Sequence, residues 1–316
     1  MRIAVADLGT NSTRLLVADV TDGTLQEIDR RTSVTRLGDG VDASGQLADD
    51  AMERVHERLA AYRELADSHG AQRRVAVATS AVRDADNGEV FREEVERRHG
   101  FEVRVISGDE QARLTFLGAT SSGREPGTGP ALVFDIGGGS TEYVIGTPGE
   151  EPAFHVSTRM GSVRQTERHI HTDPPTAEEL TELAEAAAEI IRAAVPGERR
   201  AGVDTGMAVA GTATSLAAIG QGLDPYDPAR VQGYELLLPA AERMLAMLAA
   251  MPVEERREVT GLLPDRAPTI VTGVVILVES MRAFGLESVE VSDADILHGQ
   301  AITTQLYEGE QGGRPG

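Results

Sequence analysis

Two stretches of this chain carry the same succession of residue types. Val5-Ala6-Asp7-Leu8-Gly9-Thr10-Asn11-Ser12-Thr13 is matched 128 positions later by Val133-Phe134-Asp135-Ile136-Gly137-Gly138-Gly139-Ser140-Thr141. Each reads as an apolar strand ending in Asp, a turn of small residues, and a second strand, Leu15-Leu16-Val17 or Tyr143-Val144-Ile145. A Gly-, Ser- and Thr-rich turn exposes several backbone N–H groups at one point, which is what a phosphate needs. Asp7, closing its strand, can hold a hard cation such as Mg²⁺, directly or through water. One Asp-x-Gly hairpin is a common structural turn. Two in matching register predict a duplicated fold with a polyphosphate clamped between its halves.

Other residues have two readings each. Gly211-Thr212-Ala213-Thr214-Ser215 follows a strand at 207–210 and is either a third phosphate loop or a strand-to-helix turn capped by Thr. Arg83 follows the buried strand 75–79 and can fork onto a phosphate, or pair with Asp84 or Glu89 at the surface. Arg14, directly after the first turn, has the same two options. Glu110, Gln111 and Arg113 open a helix; a carboxylate there can orient or deprotonate a water, or simply complement the helix dipole. Glu142, closing the second turn, faces the same choice. His169 and His171 have no Cys or acidic partner at metal-ligand spacing and read as solvated histidines.

The elements that must position these residues follow from periodicity. The first part reads β-β-β-α-β-α-β-α, with strands near 2–7, 13–20 and 25–35, and an amphipathic helix over 47–69 with Leu59, Tyr62 and Leu65 on one face. Ser107-Gly108-Asp109-Glu110 has the cap and early acids of a helix start. The loop 121–130 is the expected linker, so the expected domains are 1–122 and 123–308. The second half repeats β-β-β, then turns helical near 176–194, 239–251, 267–284 and 294–308. The last of these helices is free to pack back on the first domain, and a disordered tail is expected over 309–316.

Composition excludes several chemistries. All 30 basic residues are arginine, so a Walker-type Gly-Lys-Ser/Thr loop and a lysine Schiff base are ruled out. Absence of cysteine rules out disulfides, thiol nucleophiles and iron–sulfur clusters, and fits a reducing cytoplasm. A net charge of −21 argues against broad nucleic-acid or membrane surfaces, and it requires any polyanion site to be a local basic pocket. The chain opens directly on a strand with no signal peptide, and its longest apolar run, 270–278, is too short to span a bilayer. A soluble cytoplasmic protein is expected, and a homodimer is compatible with these features.

Seven ordered blocks together resemble the exopolyphosphatase / guanosine pentaphosphate phosphohydrolase (Ppx/GppA) family of the acetate kinase–sugar kinase–Hsp70–actin superfamily. They are Asp7-Leu8-Gly9-Thr10-Asn11-Ser12, Thr79-Ser80-Ala81-Val82-Arg83-Asp84-Ala85, Ser107-Gly108-Asp109-Glu110-Gln111-Ala112-Arg113-Leu114, Asp135-Ile136-Gly137-Gly138-Gly139-Ser140-Thr141-Glu142, Met160-Gly161-Ser162-Val163-Arg164, Ala210-Gly211-Thr212-Ala213-Thr214, and Ser292-Asp293-Ala294-Asp295-Ile296-Leu297. The resemblance covers residues 1 to about 305. It implies an α/β fold of two duplicated actin-like (ribonuclease H-like) domains. It also implies hydrolysis of the terminal phosphoanhydride of inorganic polyphosphate, of guanosine pentaphosphate, or of both. By this similarity Gly9–Thr13 and Gly137–Thr141 hold the phosphates, Arg83 grips the chain, and Asp135 and Glu142 manage Mg²⁺ and water. The chemistry required is charge neutralisation of a metaphosphate-like group and alignment of a water, with no covalent nucleophile.

Two departures bear on activity. The family usually carries Glu-Glu-Ala-Arg where this chain has Glu110-Gln111-Ala112-Arg113, and the second Glu is generally taken as catalytic. A neutral amide orients water but does not accept its proton. Glu110 is a one-residue shift away, which on a helix is a rotation of about 100°. The chain also stops where longer members append helical domains. Two rival readings stand beside the hydrolase. One is a binding protein that holds polyphosphate or an alarmone without cleaving it; the other is an ATP-dependent kinase of the same superfamily, against which the blocks at 79–85 and 107–114 stand.

Overall fold

A computed structural model describes residues 1–121 and 129–312. The chain divides into two compact units, Met1–Gly123 with Asp295–Gly316, and Arg124–Ala294.

The first unit is built on a five-stranded mixed sheet of β1 (Arg2–Leu8), β2 (Ser12–Thr21), β3 (Thr24–Val34), β4 (Arg73–Ala78) and β5 (Glu102–Val105), in the order β3-β2-β1-β4-β5. β1 pairs antiparallel with β2 and parallel with β4. The run Ile3-Ala4-Val5-Ala6 is apolar on both faces because β1 is central and both its faces are covered. Helix α1 (Asp49–Ser68) buries Val55, Leu59, Tyr62 and Ala66, a helical stripe packed on that sheet. The short α2 (Ser80–Asp84) follows β4, α3 (Gly88–His99) precedes β5, and α4 (Gly108–Ser121) follows it. Most of the expected linker, 122–128, lies outside the described residues.

The second unit carries six strands: β6 (Ala131–Ile136), β7 (Thr141–Gly146), β8 (Phe154–Thr158), β9 (Gly206–Val209), β10 (Tyr234–Leu237) and β11 (Ser288–Val291). Their order is β10-β11-β9-β6-β7-β8. β6 pairs antiparallel with β7 and parallel with β9, as β1 does with β2 and β4. The duplication therefore extends from the turns to the sheet topology. Helix α5 (Ser162–His169) follows β8. Then come α6 (Ala177–Ala194), opened by a Thr176/Glu179 capping box, α7 (Ala210–Gln221), α8 (Leu238–Ala249) and α9 (Ile270–Phe284). α9 is apolar nearly all round because it lies inside the core of this unit.

The chain then re-enters the first unit as α10 (Ile296–Gly312), which places Leu297, Ala301 and Ile302 against Ile3, Val5 and Leu16. Side chains at Gly118 of α4 or Gly299 of α10 would overlap the facing backbone, so the two helices cross at backbone contact and fix Asp295 at the start of α10. α10 runs to Gly312, and 313–316, the end of the tail expected to be disordered, lies outside the described residues. Among the described residues no helix is long and apolar enough to cross a membrane.

Candidate active site

The first small-residue turn joins β1 to β2 and is closed by Gly9 N–H donating to the Ser12 carbonyl (3.1 Å). Its carbonyls are tied to the segment after β3: Thr10 O accepts from Gly38 N (2.8 Å), and Asn11 O from Thr35 N (3.1 Å) and Arg36 N (2.9 Å). Arg36 adopts a left-handed φ of 51°, a costly geometry for a non-glycine residue, to make this turn. The Thr10 and Ser80 hydroxyls bond at 2.9 Å, which brings the 79–85 block onto the turn. Thr10, Asn11, Ser12 and Thr13 are all buried.

Asp7 lies beneath this turn and pairs with Arg14 (Nη2–Oδ2 2.6 Å, Nε–Oδ2 2.9 Å). The second carboxylate on Arg14 is Asp295. Burial opposes the guanidinium charge, but the two carboxylates outweigh it and hold Arg14 protonated. One cation serving two buried acids splits their titration. Burial, with repulsion from Asp295, raises Asp7 despite Arg14, while Arg14 and its neighbours overcome burial and lower Asp295. The Asp7 Oδ1 and Ser12 Oγ atoms are buried with no hydrogen-bond partner among the described residues, the condition of groups that water, a cation or a ligand completes.

Arg83 sits half-buried on α2, donating from Nη1 to the Ile106 carbonyl (3.0 Å), with Asp84 at 3.8 Å. It thereby ties the 79–85 block to the chain entering α4. There Ser107 Oγ accepts from Glu110 N (3.1 Å). Glu110 is half-exposed and ion-paired with Arg104, whereas Gln111 is turned inward and is 6% exposed. The rotation between adjacent helix positions thus separates the two side chains.

In the second unit the turn between β6 and β7 repeats the first, with Gly137 N–H donating to the Ser140 carbonyl (3.0 Å). Its carbonyls face α5: Gly137 O accepts from Ser162 N (2.9 Å), Gly138 O from Val163 N (2.9 Å), and Gly139 O from Arg164 Nε (2.9 Å). Asp135 and Glu142 are directly opposite across the strands and both are buried. Ser157 Oγ donates to Glu142 Oε1 (2.7 Å). Two buried like charges on one face repel each other and favour a cation between or beside them.

The third block differs from a loop. β9 runs into α7 through Ala210, held at a left-handed φ of 64°, so Gly211 and Thr212 belong to the first helical turn. Of the two alternatives read from sequence, the strand-to-helix turn is what forms, but Val209 holds the N-cap position and no Thr side chain caps the helix. A side chain at Gly211 would overlap the Arg266 guanidinium, so a basic group lies against that turn. Thr212 is buried beside Gly273 of α9. Among the described residues no three His, Cys, Asp or Glu gather into a metal cage. Two carboxylates suit Mg²⁺, which keeps waters and substrate phosphates as its remaining ligands. Asp135 and Glu142, both acidic and both buried, fit that requirement.

Asp295, Arg164 and Arg266 were not singled out as site residues from sequence, although two of them lie within the quoted blocks.

A family model described as the Ppx/GppA phosphatase family matches residues 16–307. The chain belongs to this family. Among curated Ppx/GppA relatives, "Exopolyphosphatase 2" of Mycobacterium tuberculosis is 37% identical over 96% of this chain and 98% of its own length. A "Guanosine-5'-triphosphate,3'-diphosphate pyrophosphatase" of Vibrio atlanticus is 30% identical over 94% of this chain and 58% of its own. A solved Ppx/GppA structure from Aquifex aeolicus has 33% identity and a TM-score of 0.81, with 98% of each chain covered. An exopolyphosphatase structure from Cytophaga hutchinsonii has 26% identity and a TM-score of 0.86, with the same coverage. The fold is accordingly the actin-like α/β fold of Ppx/GppA proteins.

Proposed function

We propose that this chain is a phosphohydrolase that releases the terminal phosphate of inorganic polyphosphate, with guanosine pentaphosphate as the second substrate class. The observation that carries the reading is the pair of turns whose carbonyls are all drawn to one side, at Thr10–Asn11 and at Gly137–Gly139. Polyphosphate comes first because the relative named exopolyphosphatase matches over nearly its whole length.

In this reading the amides of both turns and of the α7 start neutralise the phosphate oxygens, where charge builds in the transition state. Arg266 and Arg83 add guanidinium groups without needing lysine. Asp135 and Glu142 would hold Mg²⁺, which when bound supplies neutralisation of the bridging oxygens. The same two carboxylates orient the attacking water, and Gln111 contributes hydrogen bonds but no proton acceptance.

Gln111 favours a second reading, a polyphosphate binder with little turnover. Phosphate release from tripolyphosphate, long polyphosphate and guanosine pentaphosphate, with and without Mg²⁺, tests both. Release from any of them supports the hydrolase. Tight binding with no release establishes the binder, and neither binding nor release defeats both readings.

A further inference from the structure

The second turn is held from behind by a helix outside the β6–β7 hairpin. Three consecutive carbonyls, Gly137, Gly138 and Gly139, accept hydrogen bonds from the start of α5. The donors are the amides of Ser162 (2.9 Å), Val163 (2.9 Å) and Arg164 (3.2 Å), with the Arg164 guanidinium Nε (2.9 Å) and Ser162 Oγ (3.3 Å). In a planar trans peptide the N–H points opposite to the C=O. Fixing these three carbonyls against α5 therefore turns the amides of Gly138, Gly139 and Ser140 to the other side together.

In the first turn a backbone amide does this work, since Arg36 N–H binds the Asn11 carbonyl that corresponds to Gly139. In the second turn a side chain takes that task. Arg164 is 5% exposed, too deep for a surface ion pair. Close approach is also required: a side chain at Gly161, just before α5, would overlap the backbone of Gly138 and Gly139. Gly161 has an extended backbone (φ −120°), so contact and not conformation demands glycine there.

We infer that Arg164, with the amino end of α5, is the positioning device of the second phosphate turn, and that it sets phosphate affinity without touching phosphate. This rests on the reading of that turn as a phosphate site.

The test is calorimetric titration of the full chain with magnesium tripolyphosphate, alongside its thermal unfolding midpoint. The variants are Arg164→Lys, Arg164→Met, Gly161→Ala and the control Thr166→Val. Thr166 bonds Thr272 (2.7 Å), joining α5 to α9 without contacting the turn. Both Arg164 variants should bind about tenfold more weakly or worse, the loss of one charge-assisted hydrogen bond, and Gly161→Ala should weaken binding as much by pushing the Gly138–Gly139 backbone off α5. Thr166→Val should lower the midpoint and leave affinity unchanged. Wild-type affinity in a folded Arg164→Lys and a folded Gly161→Ala overturns the inference. Equal weakening by Thr166→Val also overturns it, because general loosening of α5 would then suffice. Failure of the unsubstituted protein to bind tripolyphosphate defeats the phosphate-site reading itself.

Discussion

Asp135 and Glu142 are paired residue to residue across β6 and β7, both buried, with Ser157 donating to Glu142 Oε1 at 2.7 Å. Cross-strand partners share a face of the sheet, so two carboxylates are forced together out of water. A bound cation relieves this repulsion, and the relief is measurable without turnover. With Mg²⁺ at a hundredfold excess over its dissociation constant, the unsubstituted protein should gain roughly 2.7 kcal/mol of stability. Asp135→Asn and Glu142→Gln should show a flat response of the unfolding midpoint to Mg²⁺. An equal response in both variants would place the cation elsewhere.

Gln111 is buried in α4 while Glu110 is drawn to Arg104 at the surface. The two side chains therefore point to different surroundings. Restoring a proton acceptor with Gln111→Glu should raise phosphate release by about 10² to 10⁴, the usual worth of a positioned general base. Glu110→Gln should change the rate by less than about threefold, within the small worth of an exposed ion pair. Rates measured on both variants decide it, and a large loss in Glu110→Gln would move the base to that position.

Much of this site was legible because small residues between apolar strands are a strong local signal. The two Asp-x-Gly turns, the three-strand hairpin meanders and the helices at 49–68 and 177–194 all follow from patterns within about 20 residues. What escaped was carried by long-range or backbone geometry. Arg164 and Arg266 are two among 30 basic residues, and a carbonyl acceptor leaves no mark in residue type. Asp295 lies 281 positions from its partner Arg14, with nothing nearby to announce the pairing. At the third block the special backbone conformation falls on Ala210, while the glycine beside it makes room for a guanidinium.

Arg14 is bracketed by Asp7 and Asp295, both nearly inaccessible. Removing it leaves two buried carboxylates facing each other with their cation gone. Arg14→Met should cost about 3–5 kcal/mol in urea unfolding, typical of breaking a buried charge pair from one side. Asp295→Asn removes one of the competing acids and should cost less. The double variant should recover part of the Arg14→Met loss; simple additivity would mean that the two side chains are not coupled.

Buried histidines should make the stability of the first unit fall with acidity. His56 Nδ1 and His99 Nε2 bond at 3.0 Å, both rings buried, with Glu94 at 3.4 Å from His56 Nε2. Burial, reinforced by the neighbouring His56 charge and by Arg98 and Arg63 against the pull of Glu53, lowers His99 from 6.5 to about 4. His298 falls to about 4 as well, chiefly through burial, with Arg30 and Arg14 adding to it against Asp295. Between these values the unfolded chain binds protons that the folded chain refuses. The stability these groups contribute is complete above pH 6.5, falls as pH drops from 6.5 towards 4, and changes no further below that. Thermal unfolding across this range should give a midpoint that declines with acidity. His99→Gln with His298→Gln should make the decline shallower while leaving the midpoint at neutral pH less affected. A slope unchanged by both substitutions would show that these two histidines do not set the acid sensitivity in this range.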